Sequence, residues 1–239
     1  MRLRTTTVLS FNSLAVLALT GCSTDGADSI DPTSSATVSV RSDGESAPAS
    51  APLSSAALAK RLLDESDLGE GYTRTPQRPV QQFTAPAGPP QNGCPALETL
   101  GGEAAAGGGL DFPRRAKVSF TYASGTGSEM SEGLYSGTVA ELSGGVGRIF
   151  EAMTSCSSYQ LVVGSTAISV TTQKVPATRL GEECWSLLLT FTDGGRGSVM
   201  KQTAVRTGTV VVVISGSPSL VDAQLRKAVA KAAAGRSTG

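Results

Sequence analysis

The stretch CWSLLLTFTDGGRGSVMKQTAVRTGTVVVVIS, residues 184–215, decides the fold. In its first part Trp185, Leu187, Leu189 and Phe191 alternate with Cys184, Ser186 and Leu188. Period-two alternation puts the two sets on opposite faces of a strand. The spacing predicts strands at 184–192, 197–206 and 209–215, parted by "TDGGRG" and "TG". Short glycine-containing turns join antiparallel neighbours, whereas parallel strands need a crossover of a dozen or more residues. The stretch therefore predicts an antiparallel sheet.

Working upstream, 159–163 and 167–175 read as two more strands joined by "VGS". Before them Val139, Leu142, Val146, Ile149, Phe150 and Met153 fall on one face of a helix. Gly144, Gly145 and Gly147 interrupt that helix and cost about 1 kcal/mol each against alanine; close packing on the sheet is the expected compensation. "AKVSFTYAS" alternates from Ala116 onward, "GTG" is a turn, and "EMSEGLYSG" is the expected return strand. Residues 76–115 are rich in proline and glycine, with "CPALETL" as one short helix that has Pro95 at its first position. "SSAALAKRLLDES" places Ala56, Ala59, Leu62 and Leu63 at helical spacing behind Ser54 or Ser55 as N-cap. Downstream, "PSLVDAQLRKAVAKAAAG" is a final helix. Ser219 and Asp222 have capping-box spacing, Val221, Leu225, Ala228 and Ala232 form the buried face, and Gly235 follows. The fold class is α+β: a single antiparallel β-sheet with helices packed on it, an α/β sandwich.

The chain begins with another kind of signal. Arg2 and Arg4 precede a mostly apolar run from Val8 to Thr20, which is too short to span a bilayer and fits a secretory leader. Leu19-Thr20-Gly21-Cys22 resembles the bacterial lipobox. The resemblance implies cleavage after residue 21 and a diacylglycerol thioether on Cys22, and two acyl chains hold a protein stably on a bilayer. Residues 23–54 are dominated by Ser, Thr, Ala, Asp and Pro and lack aromatics; such a segment cannot offset the entropy of ordering. The expected organisation is a signal peptide at 1–21, a lipidated cysteine and disordered tether at 22–54, and a folded domain at 55–235. A random-coil tether of that length reaches about 30 Å. Once residues 1–21 are gone the chain is close to neutral, which argues against a nucleic-acid partner.

After lipidation Cys94, Cys156 and Cys184 remain, and a disulfide is permitted outside the cytoplasm. Pairing Cys94 with Cys156 clamps the loose 76–115 region to the central helix and closes the longer loop. Pairing Cys156 with Cys184 is the rival. There is no histidine and no C-x-x-C, so no metal site is expected.

The lack of histidine also removes the commonest general base and the Ser-His-Asp and Cys-His constellations. No G-x-x-x-x-G-K-[ST], G-x-G-x-x-G or G-x-S-x-G occurs, and no cofactor is expected. Ser198 to Lys201 matches S-x-x-K, but a strand points positions i and i+3 to opposite faces. Glu182 with Glu183, Glu129 with Glu132, and Glu65 with Asp67 are carboxylate pairs, read as solvated surface charge. Glycosidase chemistry needs two such groups about 5–10 Å apart across a cleft. Trp185 and Tyr122 are candidates for lining a groove, though aromatics alternating along a strand usually belong to a core.

"LLDESDLGEGYTRTP", Cys94 before a short helix, a central helix ending at Cys156, "LGEECWSLLLTFT", and "AVRTGTVVVVISG" before a final helix resemble the PknH-type extracellular sensor domain. Actinobacterial lipoproteins often carry such a domain alone. The resemblance covers roughly residues 55–235. It implies an α/β sandwich with a solvent-open groove for a cell-envelope ligand, no catalytic role, and a Cys94–Cys156 bridge. The expected function is a membrane-anchored, extracytoplasmic ligand-binding or sensor module, held to the lipid bilayer through the Cys22 acyl chains. Its alternatives are a carboxylate-based envelope hydrolase and a scaffold or chaperone lipoprotein that binds another envelope protein.

Overall fold

The computed structural model describes residues 51–75, 93–99, 112–122, 129–163 and 166–234. The expected leader, Cys22, residues 23–50 of the expected tether, most of the proline- and glycine-rich stretch and Gly235 lie outside the described residues. Eight described strands form one sheet: β1 (Tyr72–Thr75), β2 (Arg114–Tyr122), β3 (Glu129–Ser136), β4 (Ser158–Val163), β5 (Thr166–Lys174), β6 (Glu183–Asp193), β7 (Arg196–Thr207) and β8 (Val210–Gly216). Their spatial order is β1-β2-β3-β8-β7-β6-β5-β4. Every neighbouring pair is antiparallel. The chain meanders from β4 to β8, and β8 then lies beside the earlier strand β3. The predicted strands agree to within a residue or two at their ends. β1 is not among the strands expected from the sequence; it is four residues long and is hydrogen-bonded to β2 alone.

Five described helices cover both faces: α1 (Ser55–Ala59), α2 (Glu65–Leu68), α3 (Pro95–Glu98), α4 (Val139–Ser155) and α5 (Pro218–Ala233). On one face Leu142, Val146, Phe150 and Met153 of α4, with Leu97 of α3, pack on Tyr135, Tyr159, Val170, Leu187, Leu189, Ala204, Val211 and Val213. On the other, Leu58, Leu62, Leu63 and Leu68 join Val221, Leu225, Ala228 and Ala232 of α5 over Val118, Phe120, Met130, Leu134, Val205, Val212 and Ile214. β8 is buried along its whole length. Val211 and Val213 enter the first core while Val210, Val212 and Ile214 enter the second. A strand covered on both faces reads as an unbroken apolar run instead of an alternation, which is why "VVVVI" sits at the centre.

Local differences from the sequence reading have physical causes. The first helical stretch breaks into α1 and α2, because Asp64 caps α2 with a capping box to Asp67. Leu58 is the buried residue of α1, whereas Ala56 and Ala59 are exposed. α5 starts two residues earlier than the capping-box reading: Pro218 occupies its first turn and Ser217 is the N-cap, with no side-chain capping bond. Of the three helix glycines only Gly145 makes a close approach. A Cβ there would lie 2.6 Å from the Phe112 ring, whereas at Gly144 and Gly147 it would meet nothing within 4 Å. Among the described residues no helix is long and apolar enough to cross a membrane.

Candidate functional site: a groove beside the central helix

α4 is the element that builds the site. Thr138 caps it through a reciprocal capping box with Glu141, and that backbone hydrogen bond from Thr138 holds the Glu141 carboxyl below its ordinary pKa. At the far end, the Thr172 hydroxyl of β5 donates to the carbonyls of Met153 and Cys156, both at 2.7 Å. These are carbonyls that a helix C-terminus leaves without a partner. A disulfide joins Cys156, the C-cap of α4, to Cys94, the N-cap of α3, with the Cα atoms 5.8 Å apart. Of the two pairings weighed from the sequence, the structure holds Cys94–Cys156. Cys184 is free and half-buried; burial pushes its thiol pKa up, the reverse of what a reactive thiolate needs.

Between α4 and the segment 174–177 runs a groove of about 590 Å³, within the size range of small-molecule sites. Gly147, Phe150, Glu151 and Thr154 line it from the helix, Lys174, Val175, Pro176 and Ala177 from the segment, and Cys184, Trp185 and Ser186 from β6. The indole of Trp185 and the ring of Phe150 have centroids 6.3 Å apart. Ala204 stands opposite Trp185 in the β6–β7 ladder, and its small side chain leaves the indole room. Glu151 and Lys174 are exposed, and among the described residues neither side chain is held in an ion pair. The groove thus offers an aromatic wall and two charges of opposite sign.

The segment opposite α4 is pinned at both ends. The Val175 N–H donates to the Ser186 carbonyl at 3.1 Å, and the Glu182 N–H to the Arg206 carbonyl at 2.9 Å. Arg206 donates through Nε to Glu183 at 2.6 Å and through a second nitrogen to Glu182, and Glu182 also accepts from the Gly208 N–H at 2.9 Å. The hydrogen bond from Arg206, joined by one from Ser143 of α4, holds the Glu183 carboxyl below its ordinary pKa. Glu182 and Glu183 therefore clamp the wall of the groove.

No family model and no curated protein matches the chain. A solved structure does: the fold is that of the extracellular domain of PknH from Mycobacterium tuberculosis. The superposition covers 77% of this chain and 97% of that domain, with a TM-score of 0.51 and 14% sequence identity. At that identity the likeness establishes the fold.

The other candidates from the sequence are scattered. Ser198 pairs with Phe191 on one face of the sheet, and Lys201 lies on the other, bound to Asp222 of α5 at 2.5 Å. Glu65 accepts from the Arg74 N–H at 3.0 Å, and Asp67 binds Lys231 at 2.5 Å. Tyr122 is exposed and rests on Tyr72, 5.0 Å between centroids. Glu132 is not surface charge: it is 1% exposed, beneath the α1–α2 corner. Among the described residues Glu151 is the one carboxylate that lines the groove. Trp185 was legible as a candidate. Gly147, Glu151, Thr154 and Lys174 carried no local signal, because helix and loop meet only in three dimensions.

Proposed function

We propose that this protein is an extracytoplasmic, lipid-anchored domain of the sensor type, which binds a cell-envelope ligand in the groove beside α4. The observation that carries this reading is the pairing of Trp185 and Phe150 with Glu151, Thr154 and Lys174 around one open volume. Apolar walls with a few convergent polar groups are the usual make-up of a small-molecule site. The ligand this arrangement suits has one flat or apolar face for the two rings and a polar edge for the rim. The shared fold with an extracellular domain supports the location, and Leu19–Cys22 with the preceding apolar run supports anchorage. Among the described residues the groove is lined by a single carboxylate, Glu151, so two-carboxylate hydrolysis finds no support there.

Trp185 is the chain's single tryptophan, so its emission reports occupancy of the groove directly. Titrating the full chain with lipid and glycan fractions of its own envelope is expected to shift that emission. Phe150 and Trp185 act as an anchor pair, and truncating a buried aromatic anchor costs about 2 kcal/mol or more, roughly thirtyfold in affinity. Trp185→Ala, followed by native mass spectrometry of the co-purifying species, is expected to show that loss. Gly147→Leu provides the complementary test. It removes a helix glycine whose Cβ position is open, so thermal stability should rise by about 2–4 °C while the new side chain fills the groove and abolishes the emission shift. Binding that survives in the more stable Gly147→Leu protein would place the ligand elsewhere. A Cys22→Ala chain is expected to leave the membrane fraction, and its retention there would refute lipid anchorage.

A further inference from the structure

Glu132 of β3 stands apart from every other carboxylate described. Its neighbours in the ladders are Val118 and Ile214, both apolar and buried. Its Oε2 accepts from the Leu63 N–H at 2.6 Å, at the turn between α1 and α2, while Oε1 is buried and has no hydrogen-bond partner. An unpaired ionised oxygen in an apolar surround costs far more than a neutral one. The charged groups facing it all lie on its cover. From the α1–α2 corner come Asp64 and Asp67, and from α5 comes Lys231, which binds them at 2.8 and 2.5 Å. Lys227 donates to the Asp67 carbonyl, and Arg61 donates to the Ala232 carbonyl at 2.9 Å. Lys231 is therefore engaged by two aspartates and does not reach Glu132 as a hydrogen-bond partner. That corner is formed by the first two described helices of the chain.

We propose that Glu132 is a proton-operated clasp: its neutral carboxyl lets the α1–α2 corner seat on the sheet, and ionisation of the same carboxyl loosens that corner. The anion can be hydrated only if Leu58, Leu62 and Leu63 lift and admit water. Burial pushes the Glu132 pKa up to about 7, against the opposing pull of the Leu63 N–H and Lys231 and with Asp67 adding to the rise. A raised folded-state pKa means that the stabilisation is complete below the unfolded-state value of about 4.3 and is lost as pH rises through about 7. The chain contains no histidine, so no side chain with an ordinary pKa competes in that window. The Lys231 hydrogen bond holds Asp64 well below the usual carboxylate range, outside the window as well.

The test uses the full chain and its Glu132→Gln variant. Wild-type Tm is expected to fall by about 5–10 °C between pH 5 and pH 8, and Glu132→Gln, which stays neutral, to melt at nearly one temperature across that range. Hydrogen exchange of the wild type supplies a second reading that does not need the variant to fold. After correction for intrinsic rates, peptides covering residues 58–68 are expected to lose about tenfold in protection from pH 6 to pH 8, while peptides from β8 do not. A wild-type Tm flat with pH, an equal slope in Glu132→Gln, or a loss of protection spread evenly over the sheet would each overturn the clasp.

Discussion

Replacing both Cys94 and Cys156 by alanine is expected to lower Tm by about 8–16 °C. The bridge spans 62 residues, and in the chain-entropy model closing a loop of that size is worth about 4 kcal/mol. For a domain of this length each kcal/mol moves Tm by about 2–4 °C. The loss falls on a particular place. α3 is four residues long, far below the length at which a helix is stable by itself. It is held by the bridge and by Leu97 in the core under α4. Without the bridge, α3 and the C-terminal end of α4 should loosen first. Since α4 carries Phe150, Glu151 and Thr154 into the groove, binding should weaken along with stability. Melting with and without reductant checks the magnitude, and Cys184→Ala, which leaves the bridge intact, is the control. An unchanged Tm on reduction, or a bridge mapped to Cys184, would contradict the assignment.

Gly181→Ala is expected to cost about 3 kcal/mol, from two sources. Gly181 has φ +68°, a conformation that penalises a Cβ by about 1–3 kcal/mol. The added Cβ would also stand 2.4 Å from the Arg206 carbonyl oxygen, and that oxygen is the acceptor for the Glu182 N–H. Relieving the overlap must pull residues 175–182 off the end of β7, so the far wall of the groove shifts. Gly194 separates the two contributions. It also has positive φ, +51°, but a Cβ there meets nothing within 4 Å, so Gly194→Ala should cost about 1 kcal/mol and leave Trp185 emission unchanged. Equal effects of the two substitutions on melting and emission would show that the contact at Arg206 is not what holds the wall.

Much of the architecture was readable because it is written over short spans. Alternation in 184–192 assigns Trp185, Leu187, Leu189 and Phe191 to one face, and all four pack with the core under α4. The i, i+3, i+4 spacing of α5 picks out Val221, Leu225, Ala228 and Ala232, and all four are buried. The site was less readable. Trp185 could be named, but its partners come from α4 and from the segment after β5, and no pattern in either announces that they meet. Glu132 was the plainest misreading: its neighbours in sequence are Ser131 and Gly133, whereas it is buried and its hydrogen-bond donor is the N–H of Leu63, 69 residues away.

The sequence alone determined which segments become strands and helices, the antiparallel hairpins from β4 to β8, and which side chains of each element are apolar, because dihedral preference, turn chemistry and periodicity act between residues a few positions apart. Tertiary structure decided that β8 lies beside β3, that the helices divide between two faces, that Cys94 meets Cys156, that α4 and the 174–177 segment enclose a groove, and that Glu132 lies under a lid of leucines. Each of these depends on burying surfaces contributed by distant parts of the chain, and the free energy of that burial belongs to the assembled layers and to no single stretch of residues.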